Sequence, residues 1–120
     1  MIIMNFVGII PARYASTRFP GKPLVDINGK SMIQRVYEQA KLALDDVYVA
    51  TDNQRIFDEV IRFKGQVVIT AEHHQSGKER IAEAIDIIRK DFSKSFDVII
   101  NIQGDEPFIQ PKQIEELKSS

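Results

Sequence analysis

The sequence predicts an α/β fold: a parallel β-sheet with helices on both faces. Two observations carry the prediction. Four short apolar runs lack the clean alternation of a half-solvated strand, which suits strands covered on both sides. Between them lie longer segments whose apolar residues recur at helical spacing. The resulting order, β-α-β-α-β-α-β-α, requires parallel strands joined by helical crossovers.

The first run is Phe6-Val7-Gly8-Ile9-Ile10. The stretch 11–23 contains Pro20, Gly21 and Pro23, which exclude a regular element there. Asn28-Gly29 reads as a tight turn before a helix. That helix runs from Ser31 to Leu44, with Met32, Ile33, Val36, Tyr37, Ala40 and Leu44 on one stripe and Ser31 with Gln34 as a capping box. The second strand is Val47-Tyr48-Val49-Ala50. A helix over 53–64 repeats the pattern through Ile56, Phe57, Val60 and Ile61, and Gly65 ends it. Tyr48 and Phe63 fall on core-facing positions and read as packing. Gln66-Val67-Val68-Ile69 is the third strand. The helix over 76–90 places Ile81, Ala84, Ile85 and Ile88 together and ends in Arg89-Lys90, where the helix dipole favours cations. Val98-Ile99-Ile100-Asn101-Ile102 is the fourth strand, and a last helix starts near Pro111. That helix is still running at Leu117-Lys118-Ser119-Ser120 with no C-cap signal, which reads as a truncation.

Size and charge bound the function. At 120 residues, 43 % hydrophobic and 28 % charged, the chain has the ordinary globular mixture and enough length for one core. A formal net charge of −1 supplies no global field toward nucleic acid or a membrane surface, so an anion site must be local. The absence of cysteine removes disulfides and thiol chemistry, and fits a reducing compartment. Residues 1–6 lack the basic flank and cleavage site of a secretory signal, and no apolar run is long enough to span a bilayer. The expected location is the cytoplasm.

Three stretches carry chemistry. In Pro11-Ala12-Arg13-Tyr14-Ala15-Ser16-Thr17-Arg18-Phe19-Pro20-Gly21-Lys22-Pro23, the cations Arg13, Arg18 and Lys22 fall within ten residues with no acid among them. Small residues at 15–17 would let backbone N–H groups approach a ligand. Beyond the carboxyl end of a strand, such a loop reads as a triphosphate cradle; composition alone fits a basic surface loop equally well. Nearby Gly29-Lys30-Ser31 is a decoy, because the glycine that a P-loop needs five positions earlier is Leu24.

The second stretch is Gln103-Gly104-Asp105-Glu106-Pro107. Gly104 permits a sharp turn, after which Asp105 reads either as a plain turn residue or as a hard oxygen ligand for magnesium beside phosphates. The third is His73-His74-Gln75-Ser76-Gly77-Lys78-Glu79-Arg80. Adjacent histidines cannot both face one metal from a regular element. Ser76 with Glu79 reads as a capping box, and equally as polar groups that recognise a base or ribose. Asp52 reads as an N-cap, with a ligand contact as the alternative. With the order 3-2-1-4 in this four-strand count, the crevice opens between strands one and four, and the basic loop faces Asp105 across it.

At these residues the chain resembles a known family. The stretch from Ile9 to Leu24, the segment His74-Gln75-Ser76-Gly77 with Glu79-Arg80, and Asn101-Ile102-Gln103-Gly104-Asp105-Glu106-Pro107 are similar to three motifs of the 3-deoxy-manno-octulosonate (KDO) cytidylyltransferases, in family order. Lys78 departs from the pattern, where many members carry threonine. The resemblance covers essentially the whole chain. It implies a Rossmann-like nucleotide-diphospho-sugar transferase fold, transfer of CMP from CTP to KDO with release of pyrophosphate, and a Mg2+ cofactor. By motif it implies triphosphate binding at Arg13 and Lys22, nucleotide contact at Ala12 and Gln103, and a weaker assignment of Arg18 to phosphate or sugar. Gln75, Ser76, Gly77 and Arg80 would hold the cytidine or the sugar, and Asp105 the magnesium. Family members are about twice this length, so the resemblance implies a missing carboxy-terminal half with most sugar contacts, a second metal ligand and a homodimer interface. It also implies that these 120 residues alone are inactive. The product would feed lipopolysaccharide synthesis. The alternatives are a cytidylyltransferase for another acidic sugar such as sialic acid, and a non-catalytic nucleotide-binding fragment.

Overall fold

A computed structural model describes residues 4–14, 20–72, 77–104 and 110–119. In chain order the elements are β1 (Phe6–Ala12), a 3-10 turn (Lys22–Leu24), β2 (Asp26–Ile27), β3 (Lys30–Ser31), α1 (Met32–Lys41), β4 (Val47–Thr51), α2 (Gln54–Arg62), β5 (Val67–Ile69), α3 (Gly77–Asp91), β6 (Val98–Asn101) and α4 (Pro111–Ser119).

Alternate residues of a strand face opposite sides of its sheet, and here both sides are covered. Ile10, Ala12, Val47, Val49, Val67 and Ile100 point to one side, where they pack with Ile33, Val36 and Tyr37 of α1, Ile56 and Val60 of α2, and Ile114 of α4. Val7, Ile9, Tyr48, Ala50 and Val68 point to the other, against Ala84 and Ile88 of α3. This two-sided burial is why the strands read as continuous apolar runs.

The main sheet has the order β5-β4-β1-β6 and all its pairs are parallel. The register sets Gly8 beside Val47 on one edge of β1 and Phe6 beside Val98 on the other. In strand numbers this corrects the expected 3-2-1-4. Two short strands were missed, and they shift the count. Asp26–Ile27 and Lys30–Ser31 pair antiparallel around Asn28-Gly29, whose φ angles of 52° and 92° make a left-handed two-residue hairpin turn. The neighbours are the ones the apolar runs implied: the Val47 run lies beside the Phe6 run, and the Val98 run lies on its far side.

Helix ends follow local chemistry. Ser31 Oγ accepts the Gln34 N–H at 3.2 Å, but Gln34 does not complete a box: its amide donates to Glu38 and accepts from Arg62. Asn53, not Asp52, caps α2, accepting from the Arg55 and Ile56 N–H groups at 2.9 and 3.2 Å. At the other end of α2, Lys64 takes the left-handed conformation (φ 65°). The Gly65 N–H then reaches Val60 O and the Lys64 N–H reaches Ile61 O, the paired bonds of a Schellman motif. Gly65 is needed for space instead: a Cβ there would lie 2.7 Å from the Phe63 ring and 2.8 Å from Val60.

Candidate functional site

Ligands of parallel α/β sheets bind beyond the carboxyl ends of the strands. β1 ends at Ala12, and the neighbouring β6 ends at Asn101, opposite Ile9. The backbone ladder continues one step further, with the Ile102 N–H donating to Ile9 O at 2.9 Å. Gln103 and Gly104 therefore emerge next to Pro11, Ala12 and Arg13. Around this point lies a cavity of about 230 Å³.

Six residues singled out from sequence line this one cavity: Ala12, Arg13, Lys22, Gly77, Arg80 and Gln103. Four more, Arg18, Gln75, Ser76 and Asp105, lie outside the described residues, as do His73, His74 and the proposed capping box at Ser76. Among the described residues the cavity lining holds three cations and no acid. Its described walls adjoin the segments 15–19, 73–76 and 105–109 in sequence.

Pro11, Pro23 and Gly104 also line the cavity; the sequence placed them in the same stretches but gave them no binding role. Pro11 explains two glycines. A Cβ on Gly104 would lie 3.1 Å from Pro11 O, and one on Gly77 would lie 3.3 Å from Pro11 Cγ. Each contact is tighter than ordinary van der Waals packing, so backbone comes close on both sides of the β1 end. The Pro-Ala-Arg sequence beginning at a strand end was the signal for this crowding.

Lys22 opens the 3-10 turn, whose N-cap is Gly21 with φ 75°. Regular structure therefore does occur in the loop, contrary to expectation: Pro23 is tolerated because it sits in the first positions of the turn, where its missing N–H has no partner to lose. The Leu24 N–H closes the turn on Gly21 O at 2.9 Å.

Arg80 is the buried cation of the site. Its side chain is 1 % exposed. The Nη1 group donates to Thr70 Oγ1 and to Ala71 O, and Nη2 donates to Asp52 Oδ2 at 3.2 Å. Among the described residues Nε is buried without a partner. Asp52 thus serves Arg80 rather than the α2 N-terminus. Glu83, one turn further along α3, accepts the Ala71 N–H at 2.9 Å. Both sides of the Ala71 residue are therefore held by α3, at the root of the stretch leading to Ser76. Arg80 lies four residues before Ala84 and eight before Ile88, the other buried positions of α3. That spacing was the available signal that this arginine faces inward.

A larger groove, about 530 Å³, lies between the β2–β3 hairpin and α2. It is lined by Asp26, Arg55, Asp58, Glu59 and Arg62, of mixed sign. Arg62 is paired with Glu59 at 2.7 Å, so the groove offers no unopposed field to an anion. The smaller cavity, whose described lining carries one sign of charge, is the better site despite its size.

Among the described residues no group of three or more acidic or histidine side chains could hold a metal ion. No helix of the described residues is long and apolar enough to cross a membrane.

The family model described as cytidylyltransferase matches residues 7–119. A 3-deoxy-manno-octulosonate cytidylyltransferase of Parabacteroides distasonis is 61 % identical over 117 residues, covering 98 % of this chain and 45 % of that protein. An 8-amino-3,8-dideoxy-manno-octulosonate cytidylyltransferase of Shewanella pealeana is 55 % identical over 118 residues, covering 97 % of this chain and 47 % of the relative. The solved structure of CMP:2-keto-3-deoxy-manno-octonic acid synthetase complexed with CTP superposes with a TM-score of 0.87 at 44 % identity, over 96 % of this chain and 46 % of that one. The chain thus spans a little under half the length of the relatives it matches.

Proposed function

We propose, since this chain belongs to the cytidylyltransferase family, that its cavity binds the triphosphate of CTP for transfer of CMP to KDO. The observation that carries the reading is the gathering of Arg13, Lys22 and Arg80 around one cavity at the carboxyl ends of β1 and β6, with no acid among its described lining residues. The relatives' names, and the CTP bound by the synthetase of 44 % identity, support the choice of nucleotide and sugar.

In this reading the anomeric hydroxyl of the sugar attacks the α-phosphorus of CTP. The new P–O bond forms as the bond to the β-phosphate oxygen breaks, pyrophosphate leaves with the electron pair, and the hydroxyl proton is released to water. The acceptor sugar is an acid and the donor a polyanion, so their repulsion must be offset. Arg13 and Lys22 would do this by facing the phosphates, and positioning supplies the rest. No covalent nucleophile is required.

Magnesium belongs to the same proposal. Asp105 directly follows Gly104 of the cavity wall, and a carboxylate oxygen is a suitable ligand for a cation shared with phosphates. Bound there, the ion would neutralise phosphate charge. The remaining ligands, most sugar contacts and the homodimer would belong to chain equivalent to the half of the relatives not matched here. The reading places the reaction in the cytoplasm, where nucleoside triphosphates are supplied, and its product in lipopolysaccharide synthesis.

A second reading keeps the nucleotide and changes the sugar to the 8-amino analogue, on the strength of the 55 % identity to a relative of that name. Calorimetry of this chain with CTP, with and without magnesium and with UTP as control, tests the nucleotide half. Magnesium-dependent binding that prefers CTP is the expected result, and equal binding of UTP would remove the cytidine assignment. The sugar is tested by pyrophosphate release from KDO and from the 8-amino sugar, in a polypeptide of the relatives' length carrying these residues. Light scattering on the same sample tests the dimer.

A further inference from the structure

Arg13 and Lys22 are nine positions apart in sequence yet line the same cavity. The chain between them is pinched shut by one residue pair. The Gly21 N–H donates to Tyr14 O at 2.8 Å. Gly21 has φ 75°, and a Cβ there would stand 3.1 Å from the Tyr14 ring, so the ring lies flush against the glycine. Each of the two cations is directly bonded in sequence to one member of this pair.

The pair is in turn held from α2. Arg55 Nη1 donates to the Tyr14 hydroxyl at 3.1 Å, and the guanidinium carbon lies 5.3 Å from the centre of the Tyr14 ring. That distance is within the range of a cation–π attraction. Tyr14 also packs against the core cluster shared by α1 and α2. Arg55 itself forms no part of the cavity lining. The α2 helix is a rigid support, because Asn53 caps it and Ile56 and Val60 anchor it to the sheet.

We propose that Tyr14 and Arg55 are positioning residues: they close the neck between Arg13 and Lys22, and so set the separation of the two cations that receive the triphosphate. The proposal rests on the nucleotide reading above. An aromatic ring with a cation over it is suited to the task. It holds the backbone bond at Gly21 without placing another charge in the cavity, where it would compete for phosphate.

Arg55→Met and Arg55→Lys are the variants of choice, with Tyr14→Ala as a second route to the same opening. Two quantities are read: hydrogen-exchange protection of the Gly21 amide by NMR, and the dissociation constant for CTP with magnesium. Arg55→Met should lower Gly21 protection and weaken CTP binding at least fivefold, while the amides of Phe57 and Val60 in α2 exchange as before. Arg55→Lys, which keeps a cation over the ring, should restore most of both. A merely structural role would change the folded fraction without this split or this rescue. Unchanged Gly21 protection in both Arg55→Met and Tyr14→Ala overturns the proposed neck. Lost protection with an unaltered CTP constant overturns its positioning role. If the parent chain binds no CTP while Gly21 behaves as expected, the nucleotide reading fails and the positioning claim with it, with the neck itself left standing.

Discussion

The carboxylate of Asp52 lies 3.2 Å from the guanidinium of Arg80, joining the end of β4 to the first turn of α3. The arginine is 1 % exposed and the aspartate 18 %. A buried charge that loses its partner keeps the full cost of its desolvation. Asp52→Ala should therefore destabilise the chain by about 2–3 kcal/mol, the scale of a hydrogen bond to a charged group. Thermal or urea unfolding checks it. A loss below about 0.5 kcal/mol, the scale of an ordinary surface substitution, would mean that Thr70 and Ala71 satisfy Arg80 without the carboxylate.

Removing Lys22 tests the cavity's charge directly. Lys22→Ala should weaken CTP binding at least tenfold, about 1.4 kcal/mol. Lys90→Ala is the matched control: it lies at the opposite end of α3 from Gly77, roughly 20 Å away at 1.5 Å per residue. Its binding should be that of the parent chain. Equal effects from both lysines would mean that general charge, and not the cavity, attracts the nucleotide.

The α2 cap separates two adjacent residues by role. Asn53→Ala removes the acceptor of the Arg55 and Ile56 N–H groups and should cost about 1 kcal/mol. Asn53→Asp, which keeps an acceptor oxygen, should cost much less. Similar losses in both variants would show that the side chain acts by something other than capping.

Acid should act through the polar cluster beside the hairpin. Hydrogen bonds from Arg62 hold the Glu59 carboxyl below the ordinary glutamate range; burial opposes them, and Ser31 and the Arg62 charge add to them. A lowered folded-state value contributes stability that is complete above the unfolded glutamate value, about 4.3, and is lost as pH falls through the folded one. Glu59→Gln should therefore be less stable than the parent at pH 7 and lose less stability on acidification below about pH 4. Melting temperatures at pH 7, 5, 4 and 3 give the two slopes. Parallel slopes would show that Glu59 does not couple folding to protons.

Much of this architecture was legible because burial on both faces leaves a strong sequence trace. The Val47–Ala50 run has no polar residue because Val47 and Val49 meet α1 and α2 while Tyr48 and Ala50 meet α3. The β2–β3 hairpin left almost no trace, since two-residue strands have no period to detect; only Asn28-Gly29 hinted at it. The cavity was readable where charge and glycine cluster, at Arg13, Lys22 and Gln103-Gly104. Arg80 was readable as a motif residue but not as a buried one. Composition places arginine on the surface, and only its spacing to Ala84 and Ile88 says otherwise. Asp52 and Asn53 were confused because both are good caps. What separates them is a partner 28 positions away, Arg80, which no local pattern reveals.

The pairing of Phe6 with Val98 has a consequence for synthesis. On a ribosome, β1 can pair with β4, and β4 with β5, early, but the other edge of β1 stays open until the polypeptide has grown past Val98. Gln103 and Gly104 emerge later still, so one wall of the cavity is absent until then. Before then a nascent chain carries an exposed central strand, the condition under which a waiting edge recruits the wrong neighbour. Stalling between Ile69 and Val98 would thus leave that edge open, and a holding chaperone would be of use there.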